Sequence, residues 1–448
     1  MKKKQIILFT IVASLSIIGC RKVDFDVVDR TEGEADFTKY IALGNSLTQG
    51  YADGGLYEEG QSQSYPSIIA KQMSFVNSNM GEFAQPMTSG NGSGYMHLEF
   101  INNEIDVIST TDPNAYTESS TWADWGTNEK NFKYNNLGIS GIKLVNCVDL
   151  NSTDEKINHL FLAGVQGLFN GNPYSRYLDW GGNPIIPFSE PPIQYVDHVK
   201  SSGATFFSSW LGNNDVLSYA TSGGNEGTTD LSLLGLGVVK FSGLSDPTEF
   251  HAKYDTILKA LYDMGAKGIV ATLPDVTSIP NLNTITVSGL KETGWADVWI
   301  TDMNGNVRVG TDNDLIILSA STNIENGEGS SQSNPLDKDL VLDEDEVALC
   351  QSRTIDFNNS IVSLAAKYDF AVADMHAYMT DLKSGLAFDG INFTPQYIEG
   401  GLFSLDGVHL NPRGYAVIAN KFISEINAHY GSNIPKTDIG KFRGIVFP

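Results

Sequence analysis

The sequence predicts an α/β fold in which helices cover both faces of an open parallel sheet. Short, mostly apolar runs of strand length recur from residue 37 onward, as is typical of buried parallel strands. Stretches with helical spacing of apolar residues lie between or after these runs, and such alternation favours a doubly wound sheet. The predicted strands are KYIALG (39–44), NFKYNNLG (131–138), ATFFSSWLG (204–212), KGIVATLP (267–274) and DFAVADM (369–375).

Three predicted helices carry clear start or stop signals. In PTEFHAKYDTILKALYDMGAKG the apolar residues have helical spacing, and Gly265 suits the C-terminal end. Asp343 followed by Glu346 forms the pattern of a capping box at the start of a second helix. Asn411 is the expected N-cap of the last helix, because Pro412 then occupies the first helical position.

One segment interrupts the alternation of strands and helices. DVWITDMNGNVRVG (297–310) alternates apolar and polar residues around Asn304-Gly305, which is a strong hairpin signal. Together with DLIILS (314–319) it predicts a small β-rich insertion at about 279–335.

No metal or cofactor site is predicted. Asp302, Asn304 and Asn306 superficially resemble a calcium loop, but Val307 occupies the position that requires glycine. No CxxC motif or His/Cys zinc spacing is present.

Composition limits the classes of partner. The chain has 448 residues, and at roughly 150 residues per domain the length alone suggests about three domains. Hydrophobic residues make up 41% of the chain, which fits a globular protein with a sizeable core. A formal net charge of −24 argues against nucleic-acid binding, which requires lysine and arginine to neutralise phosphates. The same charge argues against electrostatic binding to anionic lipid.

The N-terminus has the pattern of an export signal. MKKKQIILFTIVASLSIIGC has three lysines and then an apolar run at residues 6–18, which is shorter than the roughly 20 residues of a membrane span. We therefore expect residues 1–19 to be a signal peptide. SIIGC resembles a bacterial lipobox, which predicts a lipidated Cys20 and a protein anchored to a bacterial membrane, on the outer membrane or cell surface. The alternative is an ordinary cleaved signal with an incidental cysteine. Residues 20–36 are predicted to form an acidic tether.

Two further cysteines, Cys147 and Cys350, leave a question open. An exported compartment permits a disulfide between them, but two buried thiols fit the sequence equally well.

Polar residues follow the first three predicted strands at the edge where sites in parallel sheets lie. Ser46 in GNSLTQG either shapes a turn or acts as a nucleophile, which requires partners. Gly141 in NNLGISGIK offers a backbone N–H, and Asn214 in WLGNNDVL offers an amide, to an oxyanion. Taken singly, these two segments are also typical of a tight turn and an Asx turn.

SLDGVHLNPRG (404–414) offers a base and its acid. Asp406 and His409 are three residues apart, so one turn places them on the same side, where the carboxylate accepts from Nδ1–H and leaves Nε2 free. A structural histidine is the alternative reading. His376 with Asp374 is an alternative base after the last strand. Together with Ser46, the segment at 404–414 supplies the nucleophile, the base and the orienting acid that acyl transfer requires.

These four segments resemble the four sequence blocks of the SGNH hydrolases, also called GDSL esterases and lipases. The resemblance spans nearly the whole mature chain. It assigns Ser46 as nucleophile, His409 as base and Asp406 as triad acid, and it places Gly141, Asn214 and the Ser46 N–H in an oxyanion hole. One departure is visible, because Asn45 stands where the family motif Gly-Asp-Ser-Leu has aspartate. Asparagine keeps the shape and one carbonyl acceptor but loses the charge.

The resemblance implies a flavodoxin-like three-layer α/β/α fold and one catalytic domain at 37–448 with long insertions, instead of three domains. It also implies a serine ester hydrolase without a cofactor, and the lipid anchor favours extracellular acyl or acetyl esters of glycans or lipids as substrates. The alternative is a non-catalytic surface lipoprotein that binds glycan or lipid. Trp122, Trp125 and Trp180 lie in insertions, where they stack on sugars, line an acyl pocket or simply anchor loops.

Overall fold

A parallel sheet organises the computed structural model, which describes residues 30–110, 134–148, 194–230, 238–388 and 390–448. Within these residues the sheet has five strands. Their side chains are almost all buried, because helices cover both faces of the sheet. The strands are β1 (Tyr40–Gly44), β2 (Asn136–Gly138), β3 (Phe206–Trp210), β4 (Lys267–Ala271) and β5 (Ala371–Ala373).

The strands lie in the order β2-β1-β3-β4-β5, and every neighbouring pair is parallel. This is the order of flavodoxin-like folds, in which the direction of winding reverses at β1. The predicted α/β class and the flavodoxin-like three-layer architecture are therefore confirmed. Ligands in such folds bind beyond the carboxyl ends of the strands at the point of reversal, which here is the end of β1.

Apart from three short helices at 280–325, nine helices of the described chain lie along or between these strands. These nine are α1 (Ser46–Gln49), α2 (Glu58–Ser62), α3 (Tyr65–Met73), α4 (Tyr195–Ser201), α5 (Asn214–Ala220), α6 (Pro247–Asp263), α7 (Glu344–Tyr368), α8 (Met375–Lys383) and α9 (Pro412–Tyr430). Helices α3 and α9 pack together against one face of the sheet, and α4, α6 and α7 pack together against the other.

Both predicted N-caps are present. The Asp343 carboxylate accepts from two backbone N–H groups at the start of α7, and the Glu346 side chain accepts from the Asp343 N–H, which completes the capping box. The Asn411 side chain accepts from the Gly414 N–H at the start of α9. These caps fix where the two longest helices begin.

The region before α7 contains short helices as well as strands. Trp299–Thr301 pairs antiparallel with Val307–Val309 around Gly305, whose φ is +81°. DLIILS provides only the two-residue strand Leu315–Ile316, which pairs with Val341–Leu342. The short helices are Pro280–Asn283, Val287–Glu292 and Ser321–Glu325. The other small hairpins of the described chain are Met96–Ile101 with Glu104–Ser109, Thr228–Asp230 with Val238–Lys240, and Leu386–Phe388 with Ile391–Phe393.

Thr31–Pro448 forms one compact unit. In the portions of the chain that the structure describes, no helix has both the length and the hydropathy needed to cross a bilayer.

Candidate active site

The register of the sheet brings three predicted site segments to one edge. Gly44 at the end of β1 pairs with Gly138 of β2 and with Trp210 of β3. The three strands therefore end at the same level, and the segments that follow them start side by side. This alignment is the structural reason that residues far apart in sequence converge.

The turn after β1 places Ser46 at the first position of α1. A Cβ atom on Gly44 would overlap the Thr48 side chain, so glycine at the end of the strand leaves room for the helix that follows it. The Asn45 side chain accepts from the Leu47 N–H at 3.1 Å and caps the helix. A cap of this kind needs an acceptor oxygen and not a charge, so asparagine serves here.

The side chains of Ser46, His409 and Asp406 form a continuous hydrogen-bonded chain. His409 Nε2 lies 2.8 Å from Ser46 Oγ, and His409 Nδ1 lies 2.9 Å from Asp406 Oδ2. Because an ionised carboxylate only accepts, Nδ1 carries the proton and Nε2 accepts from the serine hydroxyl. The imidazole also packs against the ring of Tyr51, with 4.7 Å between ring centroids.

Asp406 accepts five hydrogen bonds. Its Oδ1 accepts from the N–H groups of Val408 and His409 at 2.9 and 2.8 Å and from Ser404 Oγ at 3.0 Å. Its Oδ2 accepts from the Gly54 N–H at 2.9 Å as well as from the imidazole. Burial alone would raise the pKa of this carboxyl, but His409 and the other donors hold the pKa well below its usual range. Asp406 is therefore ionised wherever the protein is folded at ordinary pH.

A second buried carboxylate supports Asp406, and sequence reasoning missed it. Asp53 Oδ1 accepts from the Leu405 N–H at 3.0 Å, and Asp53 Oδ2 accepts from the Tyr57 hydroxyl at 2.8 Å. Arg443 Nη2 donates to the Tyr57 oxygen at 2.9 Å and lies 3.7 Å from Asp53 Oδ2. Burial raises the pKa of the Asp53 carboxyl, against the effect of its donors. The local signals are only the turn sequence Asp53-Gly54 and the nearby Tyr57, since Leu405 and Arg443 are distant in sequence.

The two predicted oxyanion segments contact each other. Asn214 Nδ2 donates to the Ile142 carbonyl at 3.0 Å, next to Gly141, whose φ of +78° favours glycine. The adjacent Asp215 carboxylate accepts from the Leu144 N–H at 2.6 Å. Burial raises the pKa of Asp215. The start of α5 thus holds the loop after β2 in place through two consecutive side chains.

Gln49 connects the loop after β2 to the nucleophile helix. Its Nε2 donates to the Gly138 carbonyl at 3.2 Å, and its Oε1 accepts from the Ser140 hydroxyl. Asn136 Nδ2 donates to the Thr48 carbonyl at 2.7 Å. These contacts explain Ser140 as a fixed loop residue, and they position Gly141 relative to α1.

His376 and Asp374 have structural roles. His376 Nδ1 lies 3.2 Å from the Leu273 carbonyl oxygen. Asp374 caps α8 by accepting from the Ala377 N–H at 3.0 Å, and it also accepts from Thr272 Oγ1. His409, and not His376, is the histidine that contacts Ser46.

Cys147 and Cys350 are both buried free thiols in the structure, so they do not pair with each other. The described part of the chain has no cluster of three or more His, Cys, Asp or Glu side chains arranged to hold a metal. Four residues named from the sequence lie outside the described residues, namely Cys20, Trp122, Trp125 and Trp180.

A flavodoxin-like sheet that presents hydrogen-bonded serine, histidine and aspartate side chains at its carboxyl edge is typical of a hydrolase that works by acyl transfer. The model of the family "GDSL-like Lipase/Acylhydrolase" matches residues 40–422 of this chain. The chain therefore belongs to the GDSL-like lipase/acylhydrolase family, and it is a carboxylic ester hydrolase.

Two solved structures are similar to this chain at low sequence identity. One is LAE5, an alpha/beta hydrolase enzyme from the metagenome of Lake Arreo, Spain, with 12% identity, a TM-score of 0.34, and coverage of 89% of this chain and 96% of LAE5. The other is a protein assigned as a GDSL-like lipase from Parabacteroides merdae, with 9% identity, a TM-score of 0.34, and coverage of 89% and 99%. A comparison with curated proteins gave no match.

Proposed function

We propose that the protein hydrolyses extracellular acyl or acetyl esters with Ser46 as nucleophile, His409 as base and Asp406 as the acid that orients it. The observation that carries this proposal is the pair of hydrogen bonds on the His409 imidazole, at 2.8 Å to Ser46 Oγ and 2.9 Å to Asp406 Oδ2. This arrangement supplies an activated hydroxyl and a base with a fixed tautomer.

In the first step, His409 Nε2 takes the hydroxyl proton as Ser46 Oγ attacks the ester carbonyl. The resulting imidazolium is stabilised by the Asp406 carboxylate. Collapse of the tetrahedral intermediate breaks the bond to the alcohol, which leaves with the proton from Nε2. Water then attacks the acyl-enzyme with His409 again as base, and the acid is released.

The negative charge on the tetrahedral intermediate requires donors. We assign this role to the backbone N–H groups of Ser46 and Gly141 and to the Asn214 side-chain amide. The contacts among α1, the loop after β2 and the start of α5 support this assignment, because they fix all three segments before substrate binds. Fixed donors stabilise developing charge without reorganisation during the reaction.

We further propose that residues 1–19 are removed, that Cys20 is lipidated, and that the acidic stretch at 20–36 tethers the enzyme to a bacterial membrane. The lysine-rich start, the short apolar run and the SIIGC sequence support this proposal. In a bacterial host, Cys20→Ser should release the protein from the membrane fraction without loss of esterase activity. Membrane retention of this variant would contradict the anchor.

The test of catalysis compares wild type with Ser46→Ala on a chromogenic short-chain ester. We expect turnover only in the wild type, and we expect a fluorophosphonate to label Ser46, as mapped by peptide mass spectrometry. Ser363→Ala, at an exposed site on α7, is the matched control and should retain full activity. Ester hydrolysis by Ser46→Ala at the wild-type rate would refute the assignment. A wild type with neither turnover nor labelling would favour the non-catalytic binding protein.

A further inference from the structure

The dipeptides Asp53-Gly54 and Leu405-Asp406 bind each other through two reciprocal hydrogen bonds. The Asp53 carboxylate accepts from the Leu405 N–H at 3.0 Å, and the Asp406 carboxylate accepts from the Gly54 N–H at 2.9 Å. In each dipeptide, a side-chain acceptor and a backbone donor thus face their counterparts in the other. Because the two bonds connect the same pair of segments, a shift of one segment weakens both of them.

The peptide unit that joins Leu405 to Asp406 has a further anchor. Its carbonyl accepts from the Tyr397 hydroxyl at 2.6 Å. Burial, together with the nearby carboxylates of Asp406 and Asp53, raises the pKa of Tyr397 to about 12, so the hydroxyl keeps its proton and donates. Both backbone polar groups of Leu405 are therefore paired with side chains, and these contacts fix the backbone that carries the Asp406 side chain.

Asp53 has an unusual backbone conformation and a buried side chain. Its φ is +52°, and the φ of Gly54 is +74°, so two consecutive residues are in the left-handed region. L-residues rarely adopt this region, although aspartate and asparagine tolerate it better than most. The Asp53 side chain is also only 3% exposed, and burial of a carboxylate is costly unless it is paired. Such unfavourable features persist where the surrounding structure holds them, and they are typical of functional sites.

The C-terminal segment supplies the cation beside Asp53. Arg443 Nη2 lies 3.7 Å from Asp53 Oδ2 and donates to the Tyr57 hydroxyl oxygen, which itself donates to Asp53 Oδ2 at 2.8 Å. The Arg443 carbonyl accepts from the N–H of Arg413 at 3.0 Å, in the first turn of α9 and four residues after His409. Asp53 is thereby connected to the helix after His409 as well as to the backbone before Asp406.

We infer that Asp53 is a positioning residue, which holds Asp406 where its carboxylate accepts from His409 Nδ1. The inference rests on the proposed ester hydrolysis at Ser46. Asp53 does not contact the reacting atoms, so its loss should slow the chemical step and leave substrate binding almost unchanged. A misplacement of about 1 Å in a catalytic group costs about 100-fold in rate, which sets the expected size of the effect.

The test measures kcat and KM of the purified mature protein and its variants with p-nitrophenyl butyrate, and the melting temperature of each preparation. Asp53→Gly removes the carboxylate without straining a left-handed residue, and it should lower kcat by about 100-fold with KM within about threefold of the wild type. Asp53→Asn tolerates the same conformation and keeps an oxygen that accepts from the Leu405 N–H. It should therefore retain kcat within about tenfold of the wild type.

The matched control for Asp53→Gly is Asp369→Gly. Asp369 is also a left-handed aspartate, with φ of +57°, but it lies at the end of α7 and its side chain is 79% exposed. The same substitution there should leave kcat and KM unchanged. The comparison separates the loss of the Asp53 carboxylate from the effect of a new glycine on the backbone.

Tyr397→Phe provides a second measurement that does not alter Asp53. It removes only the hydroxyl that donates to the Leu405 carbonyl, and it should lower kcat by about tenfold with KM unchanged. Tyr368→Phe is its control, because the Tyr368 hydroxyl donates to Asp255 on α6, which has no part in the proposed site. This control should keep the kcat of the wild type. If Asp53→Gly does not fold, Tyr397→Phe decides the matter alone.

The outcomes separate the inference from the proposed function. A folded Asp53→Gly with kcat within about threefold of the wild type overturns the inference and leaves ester hydrolysis at Ser46 standing. Equal losses of kcat in Asp53→Asn and Asp53→Gly also overturn it, because the acceptor for the Leu405 N–H would then make no difference. A wild type that does not hydrolyse the ester overturns the proposed function, and the inference falls with it.

Discussion

Replacing Asp406 with asparagine should move the proton of the His409 imidazole from Nδ1 to Nε2. Oδ1 of Asp406 accepts from three donors, Ser404 Oγ and the N–H groups of Val408 and His409. The amide oxygen of asparagine must stay in that position to accept from them. The NH₂ group then takes the place of Oδ2 and faces the imidazole Nδ1, which can only accept from it if Nδ1 loses its proton. His409 Nε2 becomes protonated and cannot accept the proton of Ser46.

Two losses determine how far kcat should fall in Asp406→Asn. The wrong tautomer removes the base, and the loss of the carboxylate removes the charge that stabilises the imidazolium. In a serine protease triad the same substitution lowers kcat about 10⁴-fold, and we expect a loss of that order for Asp406→Asn. The Gly54 N–H also loses its acceptor, since it would meet an NH₂ group, and this costs about 1–3 kcal/mol of stability.

The assay is steady-state hydrolysis of p-nitrophenyl butyrate, with kcat and KM determined separately and with urea unfolding of the same preparations. Ser404→Ala is the matched control, because it removes one hydrogen bond to Asp406 and leaves the tautomer unchanged, so kcat should fall by less than about tenfold. If Asp406→Asn stays folded with kcat within tenfold of the wild type, the role of Asp406 derived from its hydrogen bonds is wrong.

Three further predictions address other parts of the site and fold. Asn214→Ala should lower kcat by about 100- to 1000-fold with little change in KM, and full turnover would exclude Asn214 as an oxyanion donor. Burial raises the pKa of Glu346 from its usual value near 4.5 to about 7, so the free energy of unfolding should fall as pH rises from about 4.5 through 7. With partial solvent screening we expect this loss to be about 1–2 kcal/mol. Denaturant unfolding between pH 5 and 8 should show this loss of unfolding free energy in wild type and in the exposed control Glu344→Gln. Glu346→Gln should not show it. Arg443→Ala removes a cation near buried Asp53, so kcat and the melting temperature should both fall. Arg443→Lys should restore part of each. An unchanged kcat would show that the contacts of Arg443 and Asp53 do not affect the proposed triad.

Much of the sheet is predictable because most of its strands lie in local apolar runs. Strand ends are less predictable, and β4 shows why. Its predicted range is 267–274, but the strand ends at Ala271. The Leu273 N–H donates to Asn358 Oδ1 at 2.6 Å, and the Leu273 carbonyl accepts from Asn358 Nδ2 at 2.9 Å. The Asn358 side chain on α7 thus takes the place of the backbone hydrogen bonds of a neighbouring strand. No local sequence pattern predicts such a contact.

In the candidate site, likewise, the proposed catalytic residues can be predicted from the sequence and their supporting contacts cannot. Ser46, Gly141, Asn214, Asp406 and His409 are recognisable because each stands in a short pattern at the end of a strand or the start of a helix. The supporting contacts have no such pattern. Asp53 reaches Leu405 across 352 positions.

The segment after β1 contributes to both ends of the proposed triad. Ser46 Oγ contacts the imidazole of His409, and eight residues later the Gly54 N–H donates to the Asp406 carboxylate. Gly54 has a φ of +74°, a conformation that favours glycine, and a Cβ atom added there would lie 3.1 Å from the Met96 methyl group. The distance between serine and aspartate is therefore fixed by the path of the chain from residue 46 to residue 54. The whole segment, and not the serine alone, sets the geometry of the site.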